Sequence, residues 1–188
     1  MTNIAINGIG RIGKLALKIL VSKNFNIKYI NELNGNPSNL IHSLEFDSIH
    51  SKWIADFIAN NNSIKINEKV IKTTFYNKIE NLDLDKIDIV IDCTGANNNK
   101  TALKKYFDKG VKKVIVSAPI HEENVANIAY GVNQQSYIPS NHNIITAASC
   151  TTNCIAPIIK VLHEQIGICH GSITTIHNVT NSQTLVDL

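Results

Sequence analysis

The 188-residue chain has only four cysteines, Cys93, Cys150, Cys154 and Cys169. They form no paired framework, so free thiols in a reducing cytoplasm are expected, not a disulfide-stapled secreted fold. No run of Lys or Arg occurs. Lys104-Lys105 and Lys112-Lys113 read as solvated helix ends, and a formal charge of +3 is too weak to argue for nucleic acid. No apolar stretch approaches the roughly 20 residues that span a bilayer, so no membrane insertion is expected. Met1-Thr2-Asn3 leads straight into Ile4-Ala5-Ile6, a strand pattern and not a signal-peptide core. Repeats and low-complexity segments are missing too. With 44% hydrophobic and 18% charged residues, the composition is that of a soluble globular protein. It is long enough for one complete domain and part of a second.

The order of the elements indicates an α/β fold. Ile4 to Asn7 reads as a buried strand, Lys14 to Val21 as an amphipathic helix, and Ile27 to Ile30 as a second strand. Together they make a βαβ unit. The near-continuous apolar runs Asp88 to Asp92 and Val114 to Ser117 predict parallel strands, with a helix over Thr101 to Asp108 stopped by Gly110. Between Trp53 and Tyr76, period-two alternation predicts an antiparallel hairpin inserted into the parallel sheet. Asn143 to Thr146 closes this Rossmann-type, mostly parallel sheet, with helices on both faces. A helix from Cys150 to Gln165, kinked or tightened by Pro157, then ends at Gly167. Ser172 to His177 reads as a strand opening an α+β second domain. The boundary is expected to leave residues 1–148 as the first domain and 149–188 as an incomplete second one.

Gly8-x-Gly10-x-x-Gly13 stands between the first strand and the first helix. Gly8 permits the tight turn, Gly10 lets the backbone approach a pyrophosphate, and Gly13 allows close helix–strand packing. The amides at the helix start then face the anion. Glu32, at the end of the second strand, is placed to accept both ribose hydroxyls and to repel a 2′-phosphate, favouring NAD over NADP. Cys150 falls in the first turn of a helix, where exposed amides and the helix dipole stabilise a thiolate. Those amides, with the Ser149 and Thr151 hydroxyls, suit a phosphate or a developing oxyanion. Cys154, one turn later, is expected to be buried and inert; a metal or redox pair is the other reading, though no matching ligand cluster exists. His177, at a strand end, is a natural general base for a facing thiol.

These motifs resemble the glyceraldehyde-3-phosphate dehydrogenase family over essentially the whole chain. The matching segments are Ile6 to Gly13, Lys112 to Pro119, Gly131-Val132-Asn133, Ser149 to Pro157 and Thr174 to His177. The resemblance implies that Cys150 attacks an aldehyde to give a thiohemiacetal and that His177 takes the proton. Hydride passes to NAD, and an inorganic oxyanion cleaves the resulting thioester. It further implies that Ser149, Thr151 and Thr180 hold phosphate groups, and that Arg11, Ile12, Glu32, Thr94 and Ser117 line the cofactor. A homotetramer is implied for a full-length member. The chain departs from the family at Glu32, where Asp is usual, at Thr146-Ala147 and at Cys93.

The Asn31-Glu32-Leu33 segment is shared with erythrose-4-phosphate dehydrogenases, so that activity is an alternative within the family. Leu44 to Ser48, Thr146 to Cys150 and His170 to His177 look closest to the branch associated with arsenic resistance, which implies arsenate in place of phosphate and an arseno-phosphoglycerate product. Family members continue well beyond Leu188, so a C-terminally truncated product is expected. The alternative to an active dehydrogenase is accordingly a non-catalytic NAD-binding remnant.

Overall fold

The computed structural model describes residues 1–47 and 50–178. Nine strands form one sheet. They are β1 (Asn3–Asn7), β2 (Asn26–Asn31), β3 (Phe57–Asn60), β4 (Ser63–Ile66), β5 (Lys69–Thr74), β6 (Ile89–Asp92), β7 (Lys113–Val116), β8 (Val125–Asn127) and β9 (Ile144–Thr146). Their spatial order is β3-β4-β5-β2-β1-β6-β7-β9-β8. Every pairing from β5 across to β8 is parallel; only β3 with β4 and β4 with β5 are antiparallel. The parallel strands are short apolar runs; helices cover both faces at β1 and β2, whereas Ile89, Ile115 and Ile145 on the far strands are only half-buried, on a face that opens into a shallow apolar cleft.

Helices α1 (Arg11–Ser22) and α2 (Pro37–Glu45) cover one face. Leu17, Leu40 and Leu44 there pack with Ile6, Ile30, Ile64, Ile66 and Ile71. Helix α3 (Lys100–Phe107) covers the other, where Leu103 and Tyr106 pack with Tyr29, Val90, Val114, Val116 and Ile144. Leu17, Ile30, Val90 and Leu103 are completely buried. Each such side chain stabilises the fold by about 1.5–3 kcal/mol relative to exposure. In β1 and β2 successive residues alternate between these two cores, as the pleat requires: Ala5 and Tyr29 join one, Ile6 and Ile30 the other.

Two expectations need correcting, and one helix was not anticipated. The segment between Trp53 and Tyr76 is a three-stranded antiparallel unit at the sheet edge, not a hairpin inserted within it. Its β5 joins β2 in parallel. Helix α2 arises from a capping signal: the Asn36 side chain accepts from Asn39 N at 2.9 Å, and Pro37 occupies the first turn, where its missing N–H costs nothing. Ser172 to His177 is not a strand. Its β-branched pattern is suitable, but a strand needs a neighbour for its N–H and C=O groups, and no described strand pairs with it.

Helix α4 (Cys150–Gln165) follows β9 and has no buried residue. Pro157 lies inside it and removes the amide that would reach the Asn153 carbonyl. Gly167, at φ +84°, terminates it, its N–H donating to the His163 carbonyl at 3.0 Å. Among the described residues, no helix is long and apolar enough to cross a membrane.

Candidate active site

Strands β1, β6, β7 and β9 are parallel neighbours, so their carboxyl ends share one edge of the sheet. The glycine turn leaves β1 and Cys150 follows β9. Three strand spacings, roughly 14 Å, separate the two strands. This edge of an open α/β sheet is where such folds bind ligands.

The three glycines of the turn serve different ends. Gly8 has φ +88°, and a Cβ there would come within 2.8 Å of the Cys93 and Thr94 backbone. A Cβ on Gly13 would lie 1.9 Å from the Gly8 carbonyl oxygen. Both positions are closed by packing. Gly10 is open, with nothing within 4 Å of an added Cβ. Among the described α-helices, α2, α3 and α4 are capped by Asn36, Asn99 and Ser149, but Gly10 enters α1 with no side-chain cap. The first amides of α1 therefore face open space unclaimed by a side chain, a cradle suited to a pyrophosphate.

A cleft of about 340 Å³ opens beside the turn. Gly8, Gly10, Glu32 and Thr94 wall it, together with Asn7, Asn31 and Asn97. Glu32 follows the end of β2, and its carboxylate accepts from Ile9 N and Leu33 N, each at 2.6 Å. It thus stands against the glycine turn at the cleft wall. Arg11, Ile12 and Gly13 lie in the first turn of α1 outside that wall, with Ile12 half exposed. Ser117 follows β7; its N–H donates to the Asp92 carbonyl at 2.9 Å, and it lies beside the Cys93 thiol. Burial, and secondarily the Asp92 charge, push that thiol up to about 11. Cys93 is therefore protonated and inert.

The residues beneath the cleft were not anticipated as a site. Asp92 is completely buried. Its carboxylate accepts from Thr94 N (2.9 Å), Thr94 Oγ1 (2.7 Å), Asn97 Nδ2 (2.7 Å) and the Tyr106 hydroxyl (2.7 Å). Tyr106 in turn accepts from Asn7 Nδ2 at 2.6 Å. Burial, then the adjoining Asp92 charge, raise the Tyr106 hydroxyl far above its usual range, so it keeps its proton. The available signal was polarity at the ends of apolar strands: Asn7, Asn31 and Asp92 each close one.

At the other end of this edge, Ser149 caps α4, its Oγ accepting from Thr152 N at 3.0 Å and sharing a 2.8 Å bond with Thr152 Oγ1. Ala148 reaches the cap through φ +56°, a left-handed conformation that a residue with a Cβ holds only when its surroundings impose it. Here the chain is pinned on both sides. Asn153 Nδ2 donates to the carbonyls of Ala147 (2.7 Å) and Ser149 (2.9 Å).

Cys150 Sγ then lies 3.3 Å from His177 Nε2. His177 Nδ1 is 2.6 Å from the Asn178 carbonyl, which requires a proton on Nδ1 and leaves Nε2 to the thiol. The bond to His177 is the largest cause lowering the Cys150 thiol, with smaller contributions from the Thr151 side chain and amide. His177 is raised by the same bond and then by Asn178. Both side chains are exposed. Cys154, expected to be buried, is also exposed, because nothing among the described residues covers its face of α4. Thr180 lies outside the described residues.

The family model described as the NAD binding domain of glyceraldehyde 3-phosphate dehydrogenase matches residues 2–100, and the model of its C-terminal domain matches 149–188. Glyceraldehyde-3-phosphate dehydrogenase 3 of a Nostoc species is 43% identical over 187 residues, covering 98% of this chain and 55% of the relative. The Geobacillus stearothermophilus enzyme is 40% identical over 98% of the chain and 56% of the relative; that of Thermotoga maritima is 39% identical over 100% and 57%. The chain thus spans little more than half the length of these relatives. Matched by both domain models and by relatives along its whole length, the chain belongs to the glyceraldehyde-3-phosphate dehydrogenase family, and its glycine turn and cleft are part of that family's NAD-binding domain.

Proposed function

We propose that the chain carries the cofactor and nucleophile halves of a phosphorylating aldehyde dehydrogenase acting on glyceraldehyde 3-phosphate. The observation that carries this is the 3.3 Å contact between Cys150 Sγ and His177 Nε2 at a helix N-terminus, on the sheet edge that also bears the glycine turn. The Cys150 sulfur adds to the aldehyde carbon, and its proton passes to His177 Nε2. The Thr151 amide and the hydroxyls of Ser149 and Thr151 stand at the helix start to hold oxyanion or phosphate oxygens, and Thr180 is assigned the same role. Bound NAD supplies the hydride acceptor. His177 then relays protons as an inorganic anion displaces the Cys150 sulfur from the acyl carbon, which regenerates the thiol. Arg11, Ile12 and Ser117 complete the cofactor surround. The domain boundary is proposed between residues 148 and 149, where the left-handed Ala148 redirects the chain into α4.

The finer assignment, to arsenate as the displacing anion, rests on the sequence segments 44–48, 146–150 and 170–177. Arsenate and phosphate share shape and charge, so no described side chain separates them. A second reading, an NAD-binding module without turnover, is favoured by one observation: Cys150 and His177 are exposed to water. NADH formation from NAD and glyceraldehyde 3-phosphate, with phosphate or arsenate, tests all three. Turnover that disappears in Cys150→Ser while NAD affinity is kept is the result expected of the dehydrogenase. Turnover surviving that substitution removes Cys150 as the nucleophile. NAD binding with no NADH from the unaltered chain selects the second reading, and equal rates with both anions remove a preference for arsenate.

A further inference from the structure

The strand-end residues that precede the cleft walls are joined beneath it. Asn7 precedes Gly8, Asn31 precedes Glu32, and Asp92 precedes Cys93-Thr94; all three are buried. Thr74 Oγ1 donates to Asn31 Oδ1 (2.9 Å), Asn31 Nδ2 to Asn7 Oδ1 (2.8 Å), Asn7 Nδ2 to the Tyr106 oxygen (2.6 Å), and Tyr106 to Asp92 Oδ2 (2.7 Å). The Tyr29 hydroxyl feeds the far end through Thr74. Because Thr74 spends its proton on Asn31 and the amide nitrogens can only donate, every hydrogen along the chain points one way, toward Asp92. Such aligned bonds polarise one another, and in a dry interior an interrupted one costs more than it would in water.

We infer that Tyr106 is a positioning residue for NAD: its hydroxyl locks the ends of β1 and β6 together and so fixes the glycine turn against the Thr94–Asn97 loop. Tyr106 does not line the cleft, but both of its polar partners lead into it: Asn7 is itself a wall residue and carries Gly8, while Asp92 holds Thr94 by two bonds and Asn97 by one. No lysine or arginine among the described ion pairs neutralises Asp92, so its orientation depends on these donors. With Phe at 106, the ring volume remains. Asn7 Nδ2 loses its acceptor and Asp92 Oδ2 loses one of two donors, freeing both wall segments to shift.

The proposal rests on the cofactor cleft and not on the proposed chemistry, so its test is NAD binding by the 188-residue chain, followed by calorimetry well below the melting temperature. Tyr106→Phe is expected to weaken NAD about three- to tenfold. Leu103→Ala serves as the control for stability alone. Leu103 is completely buried on the same helix and packs in the same core. This control should melt lower than Tyr106→Phe yet bind NAD like the unaltered chain. Equal NAD affinity in Tyr106→Phe and the unaltered chain overturns the inference and leaves the cleft intact. Parallel weakening in both variants assigns the effect to stability and overturns it too. Failure of the unaltered chain to bind NAD overturns the cleft reading and the inference together.

Discussion

Gly10 and Gly13 are three residues apart in one motif, and adding a single methyl group to each should have opposite consequences. At Gly13 the new Cβ would stand 1.9 Å from the Gly8 carbonyl oxygen and 2.9 Å from its carbon. Neither atom belongs to a side chain that can swing away, so the helix or the turn must move. Overpacking of this kind costs typically about 1–3 kcal/mol and occasionally more. Against it stands a gain of about 1 kcal/mol for Ala over Gly within a helix. With the contact at backbone, the upper part of the cost range applies, and a net loss near 2 kcal/mol follows. For a chain of this size that lowers the melting temperature by about 4–8 °C. At Gly10 the Cβ meets nothing within 4 Å, and φ −71° with ψ −158° is extended backbone open to any residue. Replacing glycine at a helix cap by Ala and restricting the unfolded chain oppose each other at about 0.5–1 kcal/mol each. The melting temperature should therefore stay within about 2 °C. The methyl instead occupies the space from which a pyrophosphate reaches the first amides of α1. Losing one hydrogen bond to a charged group, about 1.5–3 kcal/mol, corresponds to about a ten- to hundredfold weaker NAD complex. Thermal melts and NAD titrations of the two alanine variants decide the matter. A Gly13→Ala protein that melts with the unaltered chain refutes the packing argument, and a Gly10→Ala protein that binds NAD normally refutes the anion-cradle argument.

Three further outcomes follow from the thiols and from α4. Alkylation of Cys150 by iodoacetamide follows its thiolate fraction, so its rate should rise with pH below the ordinary thiol value of about 8.5. Because the His177 bond is the largest cause of the lowering, His177→Ala should move that rise to higher pH; an unmoved profile contradicts the contact. Mass spectrometry of limited labelling near neutral pH should find Cys150 modified first and Cys93, half-buried and held near 11, last; early labelling of Cys93 contradicts its environment. Pro157→Ala restores an N–H to the Asn153 carbonyl in a helix with no fully buried residue among those described, so hydrogen exchange of the 157–165 amides should slow.

The parallel sheet was legible because its strands are apolar runs set between glycine turns and amphipathic helices, a pattern that few other folds satisfy. Residues Ile4 to Asn7, Ile27 to Ile30 and Val114 to Val116 lie within observed strands, and α4 spans the predicted Cys150–Gln165. What escaped was shorter or polar. Helix α2 is signalled by Asn36-Pro37, a pair that reads equally well as a turn until Leu40 and Leu44 are seen buried against β4 and β5. Strand β8 has three residues, too few for any period to register.

At the site, local motifs were readable and environments were not. The glycine turn is legible through backbone sterics, which depend on the residues themselves: Gly8 and Gly13 are packed and Gly10 is open. Exposure is instead a property of neighbours. Cys154 carries the same sequence signal whether its helix face is covered or bare, and none of the described residues covers it. The same reasoning governs Ser172 to His177, whose run of β-branched residues becomes a strand only beside another strand. The contact between Cys150 and His177 therefore depends on a short side-chain bond and on the Asn178 carbonyl, not on a sheet that fixes both partners. Preorganised electrostatics are strongest where water is excluded. Any surface that covers α4 and pairs with residues 172–177 should raise the reactivity of Cys150 without altering a single residue of the dyad.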